Sequence, residues 1–149
     1  MATFPVTPDL NTYNPKKVKL LIGGVPGSGF AEDTMIEAER DKEAYSKVVG
    51  GDGKTTRTRI ADISGKFTIH LMQGSAFNDY LTGLADLDEG ADAGSVPILV
   101  VDASGRSVFS CPAGWVQKKP KATYMAQKSD VRTWIFDCSA IPVFEVAGN

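Results

Sequence analysis

Three groups of residues in this 149-residue chain have types and spacings that could do chemistry. Gly24-Val25-Pro26-Gly27-Ser28-Gly29 follows an apolar run, as a phosphate-binding loop would. The next positions of such a loop are Lys, which reaches the outer phosphates, and Ser or Thr, which holds Mg²⁺. Here they are Phe30 and Ala31, and no helical pattern follows directly, so the segment reads as a glycine turn. Asp86, Asp88, Gly90 and Asp92 superficially resemble a calcium loop. Counted from Asp86, however, the sixth position is Ala91 and the twelfth is Pro97, where Gly and Glu are required. His70 is the single imidazole, and Cys111 and Cys138 are the only thiols. A Cys/His zinc site would need carboxylates to complete it. His70 lies in an alternating segment without the hydroxyl or thiol context of a nucleophilic site, so it reads as a polar strand-face residue. The cysteines read as small apolar residues, buried and reduced. These patterns predict no catalytic residue, no cofactor and no metal.

The elements that would have to position any site are those of one domain, residues 1–149. Net charge is −2, so there is no global basic field for gripping nucleic acid. No apolar stretch approaches the roughly 20 residues of a membrane helix, and the start lacks the apolar run of a secretory signal. A soluble chain that is not exported by that route is expected, with no membrane binding. Residues 1–16, with Pro5, Pro8 and Pro15 and no periodicity, predict an extended N-terminal arm. Alternating apolar residues predict strands over 17–22, 34–40 and 66–72. Residues 75–89 predict a helix, with Ser75 as N-cap, Gly90 as C-cap, and Phe77, Tyr80, Leu81, Leu84 and Leu87 as one apolar stripe. Residues 96–102 are apolar on both faces and predict a central strand. Asp102 to Gly105 predicts a tight turn, followed by strands over 107–113, 115–118, 122–127 and 133–139. The apolar tail from Ile141, within 140–149, would cover the core or a neighbouring subunit. Together these elements predict a mainly β fold, a barrel or sandwich of roughly eight strands capped by one flanking helix.

Two features point away from small-molecule chemistry. Between the strands at 34–40 and 66–72 lie some two dozen residues rich in charge and glycine, with too little apolar surface for a core of their own. Excursions of that length are uncommon and usually functional. The turn signal at Gly50-Gly51-Asp52-Gly53, followed by the alternating, β-branched run Thr55–Ile60 (TTRTRI), predicts a protruding hairpin over 41–59. The second feature is charge order. Asp79, Asp86, Asp88, Glu89, Asp92 and Asp102 occur with no Lys or Arg between Ser75 and Asp102, whereas Arg106, Lys118, Lys119, Lys121, Lys128 and Arg132 then face only Asp130. Asp86, Asp88 and Glu89 sit at the helix C-terminus, where the macrodipole disfavours negative charge. Either these are solvated side chains, or acidic and basic patches on opposite surfaces meet between copies and set register.

The run ERDKEAYSKVVGGDGKTTRTRIADISGKFTIHLMQGSAFNDYLTGLADLD, followed by PILVVDASGRSVFSCPAGWVQKKP and RTWIFD, resembles the tail tube proteins of contractile-tailed bacteriophages. The motifs that carry the resemblance begin with Tyr-Ser-Lys-Val-Val-Gly-x-Asp-Gly from Tyr45 and Leu-x-Gln-x-Ser-x-x-Asn-Asp-x-Leu from Leu71. Asp-x-x-Gly from Asp102, Trp115 ahead of Lys-Lys-Pro, and Trp134 complete them. The resemblance implies a helix-capped β-barrel similar to the tube protein of type VI secretion. It implies hexameric rings stacked into a hollow tube inside a contractile sheath, as part of a virion assembled in the host cytoplasm. The implied partners are further copies of the chain, the tail sheath protein, a tape-measure protein in the lumen, the baseplate hub or initiator, the tail terminator, and DNA in non-specific passage. The candidate contacts between copies are Tyr45, Lys47, Asp52, Lys54, Arg57 and Arg59 on the arm, with Asp86, Asp88, Glu89, Lys118 and Lys119. Alternative readings are a tube subunit of a related injection or secretion system, an initiator or terminator ring, or, from another class, a small hydrolase or ligand-binding barrel.

Overall fold

The computed structural model describes residues 15–32, 34–102 and 108–145. The expected N-terminal arm up to residue 14, positions 103–107 with the turn and Arg106, and the tail from 146 lie outside the described residues.

Alternation of apolar and polar side chains builds the strands. They are β1 (Val18–Ile22), β2 (Val25–Pro26), β3 (Ile36–Arg40), β4 (Tyr45–Val49), β5 (Thr55–Arg59) and β6 (Gly65–Met72). The helix α1 (Phe77–Ala91) follows, then β7 (Val96–Asp102), β8 (Val108–Lys118), β9 (Val131–Cys138) and β10 (Val143–Glu145). An antiparallel eight-stranded sheet runs β2-β1-β7-β8-β9-β6-β3, with β10 paired to β8, and β4 and β5 form a separate pair. The fold is therefore mainly β with one helix, as the patterning predicts. Residues 25–31 join the ends of the large sheet. Pro26 pairs with Leu21, and the Gly27 N–H donates to the Leu20 carbonyl at 2.9 Å. Farther along, the Met72 N–H donates to the Gly29 carbonyl at 2.8 Å and the Ala31 N–H to the His70 carbonyl at 2.9 Å. One segment thus stitches β1 to β6 and turns the sheet into a barrel-like sandwich.

The core fills this enclosure. Phe67, Ile69 and Leu71 of β6 stand beside Phe136, Trp134 and Arg132 of β9, and Leu20, Ile22, Ile98 and Val100 come from the other side. Phe67, Ile69, Leu71 and Phe136 have no exposed surface. Ile141 is also fully buried, so the first residues of the tail cover the core of their own chain.

The helix closes the end of the barrel where β1 and β6 finish. Tyr80 donates its hydroxyl to the Ile22 carbonyl at 2.9 Å, and Asn78 joins the Met72 carbonyl to the Trp134 indole N–H, both at 2.9 Å. Its boundaries differ from the predicted ones. Ala76 holds the N-cap position. Ser75 instead donates its hydroxyl to the Ser28 carbonyl at 2.8 Å while accepting from the Phe77 N–H at 3.3 Å. At the other end the helix runs through Gly90, and Asp92 takes the left-handed conformation at φ 52°. Asp tolerates that region because its short polar side chain bonds locally. In the stripe, Ala85 is buried where Leu87 was expected, and Leu87 is 49% exposed.

Two strand predictions also change. Residues 108–118 form one continuous strand, bent where Ile98 opposes Cys111 but Val96 opposes Gly114. The extra residue is a bulge, and Pro112, which has no N–H to give, fits there. The bend lets β8 pair with β7 and then with β9. Residues 122–127 are not a strand, because the neighbouring edges of β8 and β9 are already occupied; Tyr124 is 79% exposed.

Candidate assembly surface

The chain leaves the barrel at Arg40 and returns at Gly65, at the end of β6 opposite to the helix. Between these points β4 and β5 pair in register, Tyr45 with Arg59, Lys47 with Arg57, and Val49 with Thr55. All ten strand residues are exposed. Cross-strand partners share a face, so Tyr45, Lys47, Arg57 and Arg59 stand together. The opposite face carries Ser46, Val48, Thr56 and Thr58. Arg57 lies over the Tyr45 ring at 4.3 Å. The turn is held by the Gly50 N–H on the Lys54 carbonyl at 2.8 Å and the Lys54 N–H on Asp52 Oδ1 at 3.1 Å. Gly53 supplies the φ of +85° that a side chain would resist.

The root of the hairpin is anchored. Arg40 donates from Nε at 3.2 Å and from Nη2 at 2.6 Å to the Ile141 carbonyl, and lies over Phe144. Lys42 pairs with Asp62 at 3.3 Å. Asp62 accepts from the Ser64 hydroxyl at 2.6 Å and the Ser64 N–H at 3.0 Å, and these bonds, with Lys42, hold its pKa down at about 2. Gly65 is required here, since a Cβ would stand 2.3 Å from the Glu39 carbonyl oxygen. A cleft of about 350 Å³ lies between this root and the first residues of the hairpin.

At the helix end one of the basic residues meets the acidic cluster within the chain. Lys119 does not lie on a surface opposite the helix. Its ammonium donates to Asp86 at 2.5 Å and approaches Glu89 at 3.9 Å, and the Asp86 bond raises its pKa. Asp88 Oδ1 accepts from the Gly94 N–H at 3.2 Å. Lys118 is exposed at the end of β8, opposite Ile135. The arm candidates and the helix-end candidates therefore occupy the two ends of one barrel, and the structure does not bring them together within a chain.

Arg132, counted above with the surface cations, points inward. It alternates in phase with Trp134, Phe136 and Cys138, and only 9% of it is exposed. That phase was the sequence signal for it. Its guanidinium donates through Nη1 to the Thr123 carbonyl at 3.3 Å and lies 5.4 Å from the Tyr124 ring. It makes no ion pair among the described residues, and it lines a recess of about 420 Å³ together with Gln73, Asn78, Asp79, Thr82 and Lys119.

Cys111 and Cys138 are free and buried, as expected. The hydrogen bond that the Cys138 thiol donates to Cys111, together with burial, pushes the Cys138 thiol up, away from the thiolate form that reacts. The His70 side chain is 20% exposed, its Nδ1 lies 3.1 Å from Thr133 Oγ1, and its Nε2, 3.8 Å from the Glu37 carboxylate, has no hydrogen-bond partner among the described residues.

The outer face of the barrel differs between its halves. Leu21, Leu99, Ser110 and Val143 line up across β1, β7, β8 and β10, an apolar row interrupted by one hydroxyl. Across β9, β6 and β3 the corresponding row is Asp137, Lys66 and Glu39, which alternates in sign.

Residues 22–144 match the family described as bacteriophage PhiTE tail tube protein. The chain is 29% identical over 147 residues to structural protein ORF10 of Pseudomonas phage KPP10, covering 93% of this chain and 84% of that one. Among solved structures, the tube-terminating cap of the anti-feeding prophage superposes with a TM-score of 0.57 at 8% identity, covering 94% and 93% of the two chains. A chain of the extended sheath-tube complex of the extracellular contractile injection system PVC gives 0.55 at 7% identity, covering 87% and 89%. At such identities these two likenesses establish the fold alone.

Proposed function

This chain belongs to the bacteriophage PhiTE tail tube protein family, and from that premise we propose that its copies close into hexameric rings that stack as the inner tube of a contractile tail. In this reading the tube is a virion component, assembled in the host cytoplasm. It lies inside the sheath protein, first encloses a tape-measure protein, and later conducts DNA. The baseplate hub or initiator meets one end and the terminator the other. No catalytic step belongs to this role.

The observation that carries the reading is the hairpin of β4 and β5. An isolated two-stranded hairpin is marginal at best in water, and this one buries none of its ten strand residues within its own chain. It becomes stable structure when a neighbouring copy covers it. Its cationic face, Lys47, Arg57 and Arg59, stands at the end of the barrel remote from the carboxylates at the C-terminal end of α1, Asp88 and the capping Asp92 among them. A contact between unlike ends is heterologous, and a heterologous contact that does not close generates a filament. The apolar row of Leu21, Leu99 and Val143 supports a second, lateral contact that closes the ring. A polyanion sliding through such a tube must not adhere, and Lys or Arg contacts to phosphate create adhesion; cations engaged by neighbouring copies are removed from that role.

The shared fold of tubes and caps leaves a terminal ring as the alternative, and the family favours the tube. Negative-stain microscopy of the concentrated protein separates them. Stacked tubes of indefinite length are expected. Single rings that never stack would support a terminal component, and a persistent monomer would overturn both.

A further inference from the structure

The recess around Arg132 lies at the helix end of the barrel and contains a guanidinium with only one described hydrogen bond, at 3.3 Å. Arginine offers five N–H donors in a planar fork that matches a carboxylate. A cation that is nine-tenths buried without an anion is unfavourable, and a buried charge of this kind calls for a partner. Tyr124, whose ring lies on one side of the guanidinium, is itself 79% exposed.

At the other end of the molecule, the hairpin tip between Val49 and Lys54 reads Gly50-Gly51-Asp52-Gly53. Its single side chain is a carboxylate, and the three glycines add no bulk around it. A tip so slender fits a recess of about 420 Å³. One oxygen of Asp52 holds the Lys54 N–H, which leaves the other available. Two residues on, exposed Lys54 is complementary to Asp79, an exposed carboxylate at the rim of the same recess.

We propose that the recess around Arg132 is a receptor for the Asp52 carboxylate of a second copy, with Lys54 of that copy set against Asp79 at the rim. The pairing rests on the stacked-tube reading and names the contact that fixes the register of one ring on the next.

The test compares the protein concentration at which half of the chain sediments as polymer. Asp52→Asn keeps the acceptor for the Lys54 N–H, so the turn is retained while the charge is lost. It is expected to raise that concentration about thirtyfold, the effect of losing one partner of a desolvated charge pair. Lys54→Gln, at the solvated rim, is expected to raise it less than about threefold. Polymer formed by Asp52→Asn at the wild-type concentration overturns the pairing and leaves the tube reading standing; a wild-type chain that never polymerises overturns both. Because Arg132 is buried, its side of the contact is read by cross-linking instead. Gly51→Cys, which leaves Asp52 in place at a position with open space for a side chain, combined with Thr82→Cys is expected to give a ladder of disulfide-linked copies under oxidation. Monomer alone on a non-reducing gel, from protein that has polymerised, counts against the contact.

Discussion

Strand β6 and strand β4 share the same backbone geometry and opposite fates. In β6 every second residue from Gly65 to Leu71 is buried, and its partners β3 and β9 hold both edges. In β4 and β5 no residue is buried, and each strand has one partner only. The eight-stranded sheet is stabilised by the apolar surface it removes from water. The hairpin holds its shape through a glycine turn, its backbone ladder, and the Arg57–Tyr45 contact, which contributes about 0.5–1 kcal/mol at an exposed site. One region is finished by its own chain, and the other leaves both faces exposed.

Substitutions can break or sharpen that contrast. The largest effect is expected for Phe67→Ala, which empties a fully buried ring site and should lower stability by about 3–5 kcal/mol in urea unfolding. Leu81→Ala, under the helix, should cost about 2–5 kcal/mol; a value near zero would mean that α1 does not seal the barrel. Val48→Ser on the neutral face of the hairpin should change stability by no more than about 0.5 kcal/mol. Deleting residues 45–55 should likewise leave a cooperatively unfolding barrel, yet abolish stacking. Long tubes from the deletant would show that the arm has no part in assembly. The smallest effect concerns Asp62. Its folded pKa is depressed, so its contribution is present above the unfolded value near 3.8 and is lost as pH falls through about 2. Ser64→Ala removes the hydroxyl donor, and the Asp62 carboxyl resonance should then titrate closer to 3.8 by NMR.

Much of the barrel was legible because period-two burial is written directly in Phe67-Thr68-Ile69-His70-Leu71 and in the Trp134, Phe136, Cys138 series. The helix was legible from its three-and-four spacing, but its ends were not, since the donation of the Ser75 hydroxyl to the Ser28 carbonyl depends on a loop 47 residues away. The bend of β8 depends on which strand stands beside Gly114, which no local pattern records. Tyr124 and its neighbours have strand-forming side chains and no edge to join. The hairpin's two strands followed from Gly50 to Gly53 and the alternating threonines. The pairing of Lys119 with Asp86 was not legible, because residues 33 apart are brought together only by the fold. Arg132 was misread by charge alone; its alternation with Trp134 pointed indoors.

Helix and hairpin stand at opposite poles of the barrel, so any head-to-tail series of such copies has a direction. Its two tips present different chemistry, and a protein shaped to seed one cannot plug the other.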